Sequence, residues 1–74
     1  MPVTPEELKK LRNALGLTQE DAAKVVHVSK RTWVSWEIKQ GLENNRKMPE
    51  GLIELFCLKS NIKYKTVDNE IHIV

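Results

Sequence analysis

The chain has 74 residues, of which 41% are hydrophobic and 30% are charged. A chain of this length must use nearly all its apolar residues to build one core, so little is left over for a deep substrate cavity. The composition lies near the globular average, which argues against a disordered tail and against a coiled coil. Length and composition together exclude a multi-domain enzyme and predict one compact domain.

The cysteine count and the hydropathy pattern argue against a disulfide, a structural metal site and a membrane span. Cys57 is the single cysteine of the chain and cannot form an internal disulfide. One cysteine with the separated His27 and His72 does not supply the ligands of a structural zinc site. We therefore expect no metal and no cofactor, and Cys57 as a buried thiol. No apolar run approaches the roughly 18 residues that a membrane span needs, so we expect a cytoplasmic protein without a membrane partner.

The charged residues are unevenly distributed along the chain. The whole sequence carries a net charge of +2, whereas residues 22–48 contain six basic and two acidic residues, a net charge of +4. A basic middle segment in a nearly neutral chain fits a surface that meets a polyanion. On charge alone, an ordinary solvated surface is the simpler interpretation.

The first half of the chain has the pattern of three capped helices. Thr4 is a hydroxyl N-cap followed by proline at the first helical position, and Gly16 is a left-handed C-cap, so the first helix lies between them. Thr18 and Ser29 are the N-caps of two further short helices, which a tight turn joins.

The second half of the chain changes character twice. Residues 39–48 contain glycine and two asparagines without periodicity and predict a loop. Pro49 opens a fourth helix with a broad apolar stripe, which ends near Ser60. In the tail, apolar and polar residues alternate on either side of Asp68 and Asn69, which predicts a β-hairpin with a two-residue turn.

The most informative segment is residues 18–37, where a short helix, a turn and a second capped helix occupy about twenty residues. This is the spacing of a helix-turn-helix unit, whose second helix presents its N-terminal residues to the major groove of DNA. Side chains just after Ser29 are therefore candidates for reading DNA sequence. Trp33 and Trp36 could stack on bases, but their position on one side of the helix favours the core.

The stretch LRNALGLTQEDAAKVVHVSKRTWVSWE resembles the lambda-Cro-like, or xenobiotic-response-element, family of bacterial and phage transcriptional regulators, over residues 6–58. The matched elements are LGLTQE at 15–20, AA at 22–23, VS at 28–29 and TxxxWE at 32–37. The resemblance implies a mainly α, compact Cro/lambda-repressor-like domain of four to five helices with a C-terminal β-strand or β-hairpin. It also implies a sequence-specific DNA-binding regulator, bacterial or phage-encoded, that acts as a repressor on double-stranded DNA.

The resemblance assigns roles to individual side chains. The base-contacting positions that it implies are Ser29, Lys30, Arg31, Val34 and Ser35. Gln19 is the implied phosphate contact, and the cationic side chains after the third helix are further candidates for the DNA backbone, namely Lys39, Arg46 and Lys47. Arg12 and Glu37 stand where relatives hold an ion pair that ties the first helix to the third.

Two positions depart from the family pattern. His27 replaces the usual glycine of the turn, where histidine tolerates positive φ better than most residues do. The glycine that commonly follows the Trp-Glu pair by two residues is delayed to Gly41. We therefore expect the third helix to run a turn longer.

We divide the chain into a DNA-binding domain at residues 1–61, with the helix-turn-helix unit at 18–37, and a β-ribbon at 62–74. One unit contacts few base pairs, so we expect a homodimer on a palindromic operator, formed through the fourth helix or the ribbon. A ribbon folded back on its own domain is equally compatible with the sequence. The alternative function is an antitoxin or other protein-binding module that neutralises a toxin or other partner and can repress its own operon. No nucleophile, base and acid stand together, and we expect no enzymatic activity.

Overall fold

A computed structural model describes residues 3–74, as four helices followed by an antiparallel β-hairpin. In chain order the elements are α1 (Pro5–Ala14), α2 (Gln19–Val25), α3 (Lys30–Glu37), α4 (Glu50–Lys59), β1 (Tyr64–Val67) and β2 (Glu70–Ile73). The expected mainly α fold with a C-terminal hairpin is confirmed. Residues 1 and 2, which the predicted domain included, lie outside the described residues. Within residues 3–74, none of the helices has the length and apolarity to cross a bilayer.

The first three helices begin at hydroxyl side chains, as predicted. In each case the hydroxyl oxygen accepts a hydrogen bond from the backbone N–H three residues later, which satisfies a donor that the helix leaves free. The bonds run from Glu7 N to Thr4 Oγ1 at 3.1 Å, from Asp21 N to Thr18 Oγ1 at 3.0 Å and from Thr32 N to Ser29 Oγ at 3.2 Å. Each cap contributes about 1 kcal/mol.

The turns use backbone conformations that few residues tolerate. Gly16 ends α1 with φ +71°, and His27 occupies the turn between α2 and α3 with φ +59°. Histidine therefore adopts the left-handed conformation that glycine usually supplies there. Asp68 and Asn69, at φ +50° and +64°, form the two-residue turn of the hairpin, and both positive values are those of a type I′ turn.

Helix α3 ends at Glu37, so the expectation of an additional turn is wrong. Ile38 is extended, with φ −69° and ψ 135°. The following loop bonds to carbonyl groups that a longer helix would have used: Arg46 N donates to Ser35 O at 3.0 Å, and Asn45 Nδ2 donates to Ile38 O at 2.8 Å. The loop over residues 39–48 is therefore held against the end of α3.

The core is centred on the tryptophan side chains of α3. Trp33 is fully buried, and its ring centroid lies 5.2 Å from that of Phe56 in α4 and 5.6 Å from that of Trp36. The two indoles are thus core residues and not platforms for bases. Cys57 is buried in the same core, and burial, followed by the charge of Glu54, raises the pKa of its thiol.

The hairpin is folded back on α4. Ile71 of β2 belongs to the core, and its backbone N–H donates to a carboxylate oxygen of Glu50 at 2.7 Å. The hydroxyl of Tyr64 donates to Glu54 at 2.8 Å, and this bond, which favours the protonated phenol, raises the pKa of Tyr64. The hairpin therefore packs against α4 of its own chain.

Candidate nucleic-acid interface

Helices α2 and α3 pack closely because small side chains separate them. Ala22 and Ala23 are fully buried in α2, and Val26 follows them at the end of the helix. Together with Trp33 and Trp36 on the inner side of α3, these residues leave the N-terminal end and the outer side of α3 facing solvent. The fold therefore presents one side of a short helix for contact with a partner.

Two cations stand at the N-terminal end of α3. The side chains of Lys30 and Arg31 are exposed, and within residues 3–74 neither forms a salt bridge. The positive end of the helix dipole adds to their charge. Ser29 differs from them, because its Oγ caps the helix and lies 3.0 Å from Thr32 Oγ1. Its hydroxyl is used within the helix start.

An open cleft of about 480 Å³ lies between the outer side of α3 and the following loop, and we call it the loop-side cleft. It brings together four of the predicted site residues with three that the sequence did not indicate. The predicted ones are Arg31, Val34, Ser35 and Arg46, and the others are Thr32, Ile38 and Asn44. Nothing in the aperiodic loop sequence could have placed Asn44 opposite α3, although asparagine is one of the few residues that readily adopts its φ of +69°.

A second cleft, of about 430 Å³, lies between the starts of α2 and α3. Gln19 and Lys30 line it, together with Arg12, Thr18 and Glu20. The amide Nε2 of Gln19 donates a long hydrogen bond, 3.4 Å, to Glu37 Oε1. Because the amide carries two N–H groups, the other is free to meet an anion in this cleft.

Two predicted phosphate contacts lie apart from both clefts. Lys39 and Lys47 are exposed and line neither of them. Lys47 Nζ lies 3.9 Å from Glu50 Oε1, and the exposed geometry makes this a weak ion pair. Both lysines could reach only a ligand that extends beyond the surface of α3.

A buried ion pair supports α3 from below. Arg12 of α1 binds Glu37 with two hydrogen bonds, from Nε to Oε2 at 2.6 Å and from Nη2 to Oε1 at 3.1 Å. The two side chains are 11% and 5% exposed. The Nη1 group of Arg12 donates to Leu17 O at 3.0 Å, and the indole N–H of Trp33 donates to Glu37 Oε2. The network therefore joins α1, the segment before α2 and the C-terminal end of α3.

The surroundings of Glu37 keep its carboxylate charged. Burial by itself raises the pKa of this group, but the hydrogen bonds from Arg12, Trp33 and Gln19 and the charge of Arg12 together outweigh burial. The pKa of Glu37 consequently lies below its ordinary value of 4.5. A charged Glu37 pairs with Arg12 throughout the neutral pH range.

Comparison with known proteins identifies the same segment. A family model described as helix-turn-helix matches residues 8–37, which include most of α1 and all of α2 and α3. The type II methyltransferase M.MspI of Moraxella sp is 48% identical to the chain over 33 residues, which are 45% of this chain and 8% of the methyltransferase. The similarity to that enzyme is confined to a small part of its length, so its methyltransferase activity is not carried over to this chain.

Proposed function

We propose that this protein, whose residues 8–37 are a DNA-binding helix-turn-helix domain of the Cro/C1-type family, is a sequence-specific transcriptional repressor. The observation that carries the proposal is the free cationic end of α3, where Lys30 and Arg31 are exposed and without acidic partners among the described residues. A helix of this kind fits the major groove of B-DNA, which admits an α-helix with its side chains. A protein bound in this way at a promoter represses by blocking access to it.

We assign different DNA contacts to the two clefts beside α3. In the loop-side cleft, Arg31 reaches base edges, where arginine donates to guanine O6 and N7, and Arg46, which lines the same cleft from the loop, meets the phosphate backbone. In the cleft between α2 and α3, the free N–H of Gln19 donates to a phosphate of the other strand while Glu37 holds its amide in place. Lys30, at the rim of that cleft, adds a base or phosphate contact.

One domain is too small to read a palindromic operator alone. Its longest extent is 28 Å, whereas half-sites one helical turn apart are separated by about 34–36 Å. We therefore propose that two copies bind as a homodimer. Leu58 of α4 is 60% exposed, and an apolar side chain of this size on a helix face fits a contact between protomers.

The dimer is tested with Leu58→Asp, because a charge at an apolar contact prevents association. Analytical ultracentrifugation should show a dimer for the original chain and a monomer for the variant, with Lys59→Asp as a control one residue away. Equal association of all three proteins would place the contact elsewhere. A monomer that binds a toxin-like partner through Leu58 would instead favour the alternative function, an antitoxin.

The DNA-binding proposal is tested by selecting bound duplexes from a random pool and measuring affinity for the enriched site. Replacing Lys30 and Arg31 by alanine should weaken binding by about tenfold or more, because each good base contact contributes roughly 1–3 kcal/mol. Replacing Lys63 and Lys65 by alanine is the matched control, since it removes the same two positive charges from exposed positions just before and within β1. The logarithm of affinity should also fall linearly with that of salt concentration. A pool without any enriched sequence would overturn the proposal.

A further inference from the structure

The hydroxyl of Ser35 has a defined hydrogen-bond direction. Its Oγ lies 2.6 Å from the carbonyl oxygen of Thr32, one turn earlier in α3. A carbonyl oxygen only accepts, so the Ser35 hydroxyl must donate its single hydrogen to it. The oxygen of Ser35 keeps its lone pairs, and the residue lines the loop-side cleft. Toward a ligand in that cleft, Ser35 is a hydrogen-bond acceptor.

An acceptor in the major groove distinguishes bases. The groups that can donate there are the N6 amino group of adenine and the N4 amino group of cytosine, whereas guanine and thymine present acceptors. Ser35 therefore fits adenine or cytosine and leaves guanine to the guanidinium of Arg31, which lines the same cleft and can only donate.

The cleft also has an apolar wall, which can distinguish an A·T pair from a C·G pair. Val34 and Ile38 are half-buried and line the cleft beside Ser35. A valine or isoleucine side chain in the major groove packs favourably against the C5-methyl group of thymine, and a C·G pair has no such methyl group. An A·T pair presents both features, an amino group and a methyl group, on the same groove edge.

We infer that the loop-side cleft reads an A·T base pair, with Ser35 accepting from adenine N6 and Val34 contacting the thymine methyl group. This inference rests on the proposed DNA binding and assigns the base chemistry of the site that DNA would occupy. Arg31 binds a guanine at a neighbouring base pair. The half-site therefore contains an A·T pair next to a G·C pair.

The test pairs protein variants with modified bases in the enriched duplex. Replacing the adenine by purine removes only the 6-amino group and should weaken binding by the original chain about three- to tenfold. Ser35→Ala should bind the unmodified duplex that much more weakly and should show no further loss with purine. Uracil in place of thymine should in the same way weaken the original chain and have no effect on Val34→Ala. Ser60→Ala, the same change at the end of α4, should respond to both modified bases as the original chain does.

These measurements separate the inference from the proposed function. If a site is enriched but Ser35→Ala and purine weaken binding independently, the amino-group contact is wrong. If the base pair coupled to Ser35 is one that places guanine N7 or O6 at the hydroxyl, the acceptor assignment is wrong. In both cases DNA recognition by α3 would stand. A failure to enrich any sequence would instead remove DNA recognition itself and the inference with it.

Discussion

The inner and outer sides of α3 satisfy their polar groups in different ways. On the inner side, Glu37 receives hydrogen bonds from Arg12, Trp33 and Gln19, and its carboxylate is nearly excluded from solvent. On the outer side, Lys30 and Arg31 have no acidic partner among the described residues. A buried charge must be paired inside the protein, whereas an exposed charge is solvated by water and can pair with a ligand when one binds. Changes on the inner side should therefore act on stability, and changes on the outer side on binding.

The largest loss of stability is expected from Arg12→Ala, which removes the ion pair with Glu37 on the inner side of α3. This change leaves the carboxylate of Glu37 buried without its cationic partner, which typically costs about 3–5 kcal/mol in the free energy of unfolding. The measurement is urea unfolding at pH 7, followed by circular dichroism. Lys10→Ala removes the same charge from an exposed position in α1 and should change stability by less than about 0.5 kcal/mol. Similar losses in both variants would show that the Arg12–Glu37 pair does not hold α3.

A smaller loss of stability is expected when the pH is lowered, because Glu37 lies on the inner side of α3. The folded-state pKa of Glu37 is below its ordinary value of 4.5, so the pair stabilises the fold above that value and the contribution is lost as the pH falls through the lower, folded-state pKa. Unfolding free energies should therefore decrease from pH 6 towards pH 3. In Glu37→Gln this part of the pH dependence should be absent, so the difference in stability between the two proteins should shrink on acidification. A constant difference over the whole range would contradict the lowered pKa.

A substitution in the turn between α2 and α3 should change stability less, and should stabilise the fold. His27→Gly relieves the left-handed conformation at φ +59°, which costs a residue with a side chain roughly 1 kcal/mol. The more flexible unfolded chain and the loss of the contact between His27 Nε2 and Lys59 Nζ, at 2.9 Å, offset part of the gain. We expect a net stabilisation of about 0.5 kcal/mol, seen as a higher thermal midpoint. His27→Ala, which keeps the strain and loses the contact, should be less stable than the original chain.

The smallest effect on stability is expected on the outer side. Replacing Lys30 and Arg31 by alanine removes exposed, unpaired charges, so the free energy of unfolding should stay within about 0.5 kcal/mol of the original value. The same variant should bind DNA poorly, which separates binding from folding. If the variant were as destabilised as Arg12→Ala, the two sides of α3 would not differ in the way that the structure indicates.

Local sequence signals predicted the parts of the fold that depend on neighbouring residues. Thr4, Thr18 and Ser29 cap helices because a hydroxyl needs only the backbone N–H three residues later. Asp68 and Asn69 form the hairpin turn because both tolerate positive φ. The tryptophan side of α3 followed from the three-residue spacing of its indoles.

The extent of α3 and the make-up of the candidate site could not be predicted in the same way. A delayed glycine suggested a longer third helix, but the loop bonds to Ser35 O and Ile38 O and ends the helix at Glu37. The same bonds bring Asn44 and Arg46 against α3 to form the loop-side cleft. These contacts join residues seven and more positions apart, and no local pattern specifies them.

The amino-acid sequence by itself determined where the helices begin, that Gly16 and the Asp68–Asn69 turn are left-handed, and which helix carries cations, because each depends on a residue and its near neighbours. Only the tertiary structure decided that the hairpin packs on α4 and that Arg31 of α3 and Arg46 of the following loop line the same cleft. Those outcomes depend on which distant groups compete for the same hydrogen-bond donors, acceptors and buried volume, and the competition is resolved only when the whole chain packs.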